Sequence, residues 1–163
     1  MTRSLIILRG LPGSGKSSFA KVIDAPVCCA DDYFMKDGKY EWKAAEIGNA
    51  HLWCQRKCKT LMEAGTEKII IANTSVAARD LRPYTDLAEK YGYRVYSVIV
   101  ENRHEGVNEH NVPEETIQKM LERFSIKLIY YDEIRKSSYS PNSLNRREIS
   151  GITNPAREFT SIG

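Results

Sequence analysis

Uninterrupted apolar runs punctuate the chain at Leu5-Ile6-Ile7-Leu8, Val27-Cys28-Cys29-Ala30 and Ile69-Ile70-Ile71-Ala72, and a fourth segment, Tyr93 to Val100, is rich in β-branched and aromatic residues. Runs this short and this continuous fit strands covered on both faces, because an exposed face would alternate with polar residues. Between them the spacing turns helical. Ser17 to about Asp24 reads as a helix stopped before Pro26. Trp42 to Ala64 places Trp42, Ala45, Asn49, Leu52, Trp53, Arg56 and Leu61 at roughly helical spacing, with Gly65 as a stop. Ala77 to about Tyr91 predicts a helix broken or started at Pro83 and closed by Gly92, and Val112-Pro113-Glu114-Glu115 starts another that runs to about Phe124. Lys36 to Tyr40 has the composition of a turn.

Strands and helices that alternate in this way predict an α/β fold, a mainly parallel sheet of four to five strands inside a three-layer α/β/α sandwich. Residues 1–124 form the expected domain. Residues 125–163 read as a C-terminal extension in which Lys127 to Tyr131 is either a strand or continued helix, followed by serine, proline and asparagine. A chain of 163 residues is enough for one such core.

Composition narrows the picture only a little. A net charge of +3 neither requires nor excludes a nucleic-acid partner. The absence of a long apolar stretch or a signal-peptide pattern makes a soluble, cytoplasmic protein the expectation, with no membrane partner. Cys28, Cys29, Cys54 and Cys58 are too unevenly placed for a disulfide framework. His51, Cys54 and Cys58 share a helical face, but without a second ligand cluster a packed face is the simpler reading.

The junction between the first strand and the first helix changes the picture most. Gly10-Leu11-Pro12-Gly13-Ser14-Gly15-Lys16-Ser17-Ser18 has the spacing G-x-x-x-x-G-K-[ST], the Walker A pattern. Glycines let successive N–H groups turn inward into a concave anion site, and the following helix adds its unpaired N–H groups. Gly10, Pro12, Gly13, Ser14, Gly15, Lys16, Ser17 and Ser18 are therefore the expected ATP-binding residues, with Lys16 on the β- and γ-phosphates and Ser17 on Mg²⁺.

In an open parallel sheet the carboxyl ends of the strands converge on one site. The second strand ends at Asp31 and Asp32, where a carboxylate would take the proton of an attacking hydroxyl; an aspartate pair that merely caps a turn is the alternative. Asp31 is the candidate base and Asp32 a secondary substrate contact. The third ends at Asn73 and Thr74, candidate substrate contacts or simply a polar strand exit. No acidic residue closes that strand, which argues against a mechanical ATPase and for a small kinase. The fourth opens a polar loop in which Arg103 is the candidate catalytic lid cation, with Arg123 second, while His104 and His110 read as loop or surface histidines.

Taken together, Leu11 to Ser17, Ala30-Asp31-Asp32-Tyr33-Phe34, Ile69 to Thr74, Pro83-Tyr84, Tyr91 to Val95 and Asn111-Val112-Pro113-Glu114 resemble the polynucleotide-kinase branch of P-loop kinases, which includes small AAA-like ATP-binding proteins. The resemblance spans roughly residues 4–124 and implies a kinase-like P-loop NTPase fold. It also implies transfer of the ATP γ-phosphate to a hydroxyl, classically a 5′-hydroxyl of nucleic acid, with Asp31 as general base. The family pattern carries arginines where this chain has Ala30 and Phe34, the second of which contacts the acceptor phosphate. Many relatives have an aspartate at the position of Ala72, and the lid spacing before Val112-Pro113 differs. A nucleic acid or nucleotide acceptor is the expectation. A kinase of hydroxymethylated bases in phage DNA is the runner-up, and an ATP-binding regulatory switch acting through a partner is the alternative of another class.

Overall fold

The computed structural model describes residues 2–109 and 111–126. The expectations for His110 and for Lys127 to Gly163 lie outside the described residues, and only Ser125 and Ile126 of the expected extension fall within them.

Four parallel strands form the central sheet: β1 (Ser4–Arg9), β2 (Val27–Cys28), β5 (Lys68–Ile71) and β6 (Arg94–Ile99), in the order β2-β5-β1-β6. Ile6 of β1 stands opposite Ile70 of β5 and Tyr96 of β6. Period-two alternation then sends the apolar runs to both faces at once. Leu5, Ile7, Ile69 and Ile71 enter one core, and Leu8 and Ile70 enter the other. Helix α1 (Lys16–Ile23) supplies Ala20 to the second core, whereas α2 (Ile47–Glu63) and α3 (Ala78–Tyr91) cover the first. The three expected layers are present.

Helix α2 packs through Ala50, Cys54, Cys58 and Met62, each at most 1% exposed and each four residues from the last. Side chains four apart overlie one another on a helix, so this stripe of mostly small residues lets α2 lie close to the sheet. The broader periodicity expected from Trp42 is not the buried one. Trp42 and Leu52 are exposed, and the segment before the helix is a short 3₁₀ turn, Ala44–Glu46.

Three local differences from the sequence expectation have physical causes. The second strand stops at Cys28 because the Ala30 amide is captured by Asn73 Oδ1 at 2.8 Å, and the chain turns into a 3₁₀ helix, Ala30–Phe34. Pro83 neither starts nor breaks α3. The helix begins at Ala78, after Asp80 Oδ2 accepts the Ala77 amide at 2.9 Å, and continues through the proline. Lys36 to Tyr40 is more than a turn: β3 (Met35–Lys36) and β4 (Lys39–Tyr40) pair antiparallel around Asp37 and Gly38, which hold φ of 48° and 77°. Two successive positive φ values are what a tight two-residue hairpin turn requires, and Asp-Gly is a favoured pair for it. Helix α4 (Glu114–Glu122) follows the polar loop after β6.

Candidate functional site

Strand β1 lies inside the sheet, with β5 on one side and β6 on the other, so the chain's path reverses direction across it. Such a switch point leaves a crevice at the carboxyl ends of the strands. The Gly10–Ser17 loop leaves β1 there, pinned on both sides: Gly10 N donates to Thr74 O at 3.0 Å and Val100 N to Arg9 O at 2.7 Å. Gly13 and Gly15 take φ of 78° and 86°, which turns the intervening amides into the loop.

The loop fits a phosphate chain on its own chemistry. No side chain caps α1, and its first N–H groups have no intrahelical acceptor. Ser14 Oγ is buried with no hydrogen-bond partner. Lys16, 9% exposed, donates from Nζ to the carbonyls of Gly10 and Leu11, each at 2.9 Å. Burial pulls its pKa down, opposed by nearby Cys29 and Asp31. An anion would satisfy all three features. Ser17 is exposed at the start of α1. No group of three or more His, Cys, Asp or Glu side chains among the described residues is arranged to hold a metal ion.

Lys16, after β1, and Asp31, after β2, lie near enough for the Asp31 charge to raise the Lys16 pKa against the effect of burial. Tyr40 Oη donates to Asp31 Oδ1 at 3.1 Å, and Cys29 Sγ lies 3.6 Å from Oδ2 and 3.5 Å from Ala72 O. Burial, reinforced by the Asp31 charge, pushes the Cys29 thiol up to about 12, so it stays protonated as a donor. Asp32 points elsewhere, exposed and paired with Lys57 at 3.1 Å. Asn73 braces the site: Oδ1 takes the Ala30 amide, and Nδ2 donates to Tyr84 Oη at 3.0 Å. Its amide is thus engaged in holding the turn that bears Asp31.

Beside Asn73 a cleft of about 530 Å³ opens between α2, α3 and the end of α4, lined among others by His51, Gln55, Thr74, Arg79 and Arg123. One wall is fixed by the buried Arg9. Its guanidinium donates to Ser75 O at 2.8 Å, Val76 O at 3.0 Å and Ser125 O at 2.6 Å, and stacks on the Phe124 ring. Ser75, at φ 46°, is held in a conformation that few side-chain-bearing residues adopt.

The loop after β6 lies over the phosphate loop, but through other residues than its arginine. Arg103 is 84% exposed and paired with Glu101. His104 sits so close to Gly15 that a Cβ there would meet the imidazole at 2.7 Å, and a Cβ on Gly106 would meet Gly13 O at 2.6 Å. Asn102 and Asn108 clamp the loop, each bonding both the N–H and C=O four residues on in Gly106 and Val112. Gly106 is the sequence signal for this approach, since a side chain there would collide with the phosphate loop.

A parallel sheet of this order, with a Walker A loop at its switch point and helices on both faces, defines the kinase-like P-loop class of nucleotide-binding folds. Residues 5–126 match the model of an AAA domain family, and the chain belongs to that family. It is 34% identical over 157 residues to human NEDD4-binding protein 2; the match takes in 89% of this chain but spans only 9% of that relative's length. Among solved structures, a chain of the Pnkp1/Rnl/Hen1 complex shares the fold at TM-score 0.50 and 22% identity, over 82% of this chain and 43% of that one. The APS kinase CysC of Mycobacterium tuberculosis aligns over 75% of this chain and 96% of its own, at 15% identity and TM-score 0.49. Among the described residues no helix is long and apolar enough to cross a membrane.

Proposed function

We propose that the protein transfers the γ-phosphoryl group of ATP to a hydroxyl of a nucleic acid or nucleotide, with a 5′-hydroxyl of a polynucleotide as the leading acceptor. The observation that carries this reading is the convergence of Lys16 and Asp31, near enough for the Asp31 charge to act on the Lys16 amine, beside a cleft bearing two arginines.

In this reading the acceptor oxygen attacks the γ-phosphorus, the bond to the β,γ-bridging oxygen breaks, and ADP leaves. Asp31 takes the acceptor proton. Lys16 exchanges the Gly10 and Leu11 carbonyls for phosphate oxygens, and with the loop amides it balances charge on the transferring group. Ser17 would ligate Mg²⁺, which supplies further charge neutralisation on the phosphates when bound. Arg103, turned outward beside Glu101, would have to swing inward to serve as the lid cation.

The acceptor side departs from the polynucleotide-kinase pattern. Phe34 is 4% exposed and packed in the core, so the position that carries an arginine in that pattern faces away from any acceptor. Arg79 and Arg123 in the cleft supply cationic groups instead. Incubation of the protein with γ-labelled ATP and a panel of single-stranded 5′-hydroxyl DNA and RNA, hydroxymethylated duplex DNA and nucleosides tests this. Label is expected on the 5′-hydroxyl strands. Arg79→Ala and Arg123→Ala are expected to raise the KM for the strand by about tenfold each while leaving that for ATP unchanged, as loss of a charge-assisted phosphate contact would. Label on the hydroxymethylated duplex alone would favour the base-kinase reading. Bound ATP with no labelled acceptor would favour a regulatory switch.

A further inference from the structure

The hairpin β3–β4 is built to deliver one hydroxyl. Its Asp37-Gly38 turn fixes the register that sets Tyr40 opposite Met35, and Glu41 N closes the ladder on Phe34 O at 2.8 Å. The Tyr40 ring then meets the buried Phe34 ring edge-on, with centroids 6.1 Å apart and planes at 74°, while Phe34 is itself held by Tyr33 at 5.4 Å. From that seat Tyr40 Oη reaches back nine residues to Asp31 Oδ1. A carboxylate has two oxygens in one plane, so a donor held on one of them restrains how that plane is turned. Tyr40 is that donor, and Cys29 Sγ, with one S–H to give, lies 3.6 Å from the other carboxylate oxygen and 3.5 Å from Ala72 O.

We propose that Tyr40 is a positioning residue for phosphoryl transfer, its hydroxyl fixing the Asp31 carboxylate in the orientation that receives the acceptor proton, and that the β3–β4 hairpin exists in this site to hold it there. The inference rests on the reading of Asp31 as the acceptor's base. It also gives Phe34 a purpose: a buried ring at that position seats Tyr40, which an arginine side chain could not do without burying its charge. Burial, followed by the Asp31 charge, raises the Tyr40 pKa, so the phenol keeps the proton that it donates.

The test is a double-mutant cycle read as steady-state kinetics. Tyr40→Phe keeps the ring against Phe34 and removes only the donor. It is expected to lower kcat about tenfold with the KM for ATP unchanged, the scale of one lost hydrogen bond to a charged group. In the Asp31→Asn background the same change is expected to cost nothing further in kcat, because the proposed role of Tyr40 in transfer runs through that carboxylate. A ring that merely supports the fold would give independent, multiplying losses. Phe34→Leu, which unseats the ring and leaves the hydroxyl, is expected to repeat the Tyr40→Phe pattern. Wild-type kinetics for Tyr40→Phe, multiplying losses in the double variant, or labelled phosphate on Tyr40 itself would each overturn the proposal. Full transfer by Asp31→Asn alone would instead remove the base assignment on which it stands.

Discussion

Lys16→Met is expected to reduce phosphoryl transfer by about a thousandfold, the scale of removing a preorganised cation or donor from a transferring group. The side chain is already desolvated and its amine satisfied by two loop carbonyls, so little reorganisation separates the ligand-free site from one in which phosphate oxygens replace them. Methionine keeps the stem and drops the charge. The effect of that charge on stability has a definite sign. A lysine whose folded pKa lies below its unfolded value disfavours folding while it is charged, and the penalty lifts only as the pH rises through the folded pKa. Across neutral pH that relief opposes the loss of the hydrogen bonds to Gly10 and Leu11, so the ligand-free variant is expected to melt near wild type, although the loss of transfer is nearly complete. Thermal melts with and without a non-hydrolysable ATP analogue measure both parts. A variant that melts well below wild type without ligand would contradict this account of Lys16.

Asp31→Asn is the second large effect. Loss of a general base costs on the order of 10² to 10⁴ in kcat. Asparagine can still accept from Tyr40 through its carbonyl oxygen, so the turn and hairpin should keep their places while the basic function goes. ATP affinity, measured by titration calorimetry, is expected to stay near wild type. Asp32→Asn provides the contrast: that carboxylate is exposed and paired with Lys57, an interaction whose usual worth is about 1 kcal/mol or less. A change in kcat below about threefold is expected there. Equal losses at both positions would show that the pair acts as a unit.

These residues differ in how plainly the sequence announced them. The phosphate loop is legible because its work is done by backbone geometry, which fixes glycine spacing. The buried strands are legible because both faces of β1 and β5 are covered, so their apolar runs are unbroken. Asp31 follows the second apolar run, although it lies in the 3₁₀ helix after β2 and not at the end of the strand itself. Its partners could not be placed from the sequence. Tyr40 arrives on a hairpin whose strands are two residues each, too short for any alternation to show, although Asp37-Gly38 was there to be read as a hairpin turn. The packing of α2 through Ala50, Cys54, Cys58 and Met62 is hidden by Trp42 and Leu52, which look more like core and are exposed. Arg103 and His104 are neighbours in one polar loop, and nothing in their order tells which faces the glycines of the phosphate loop and which faces solvent. Asn73 was noticed for its place at the end of β5, but its use as a brace depends on Ala30, Cys54 and Tyr84, which only the tertiary fold brings to it.

Arg9 shows how far the polypeptide must extend for the site to be whole. One guanidinium at the end of β1 holds two carbonyls of the β5 exit and a third at Ser125, and Ser125 returns its own N–H to Val76 O at 2.9 Å and accepts the Ala78 amide on Oγ at 3.1 Å. The strand that launches the donor loop, the wall of the cleft and the end of α4 thus hang from one side chain. A polypeptide cut after Phe124 would contain every motif residue and still leave that cation without one of its acceptors. One acceptor of Arg9 is thus a carbonyl that no motif includes.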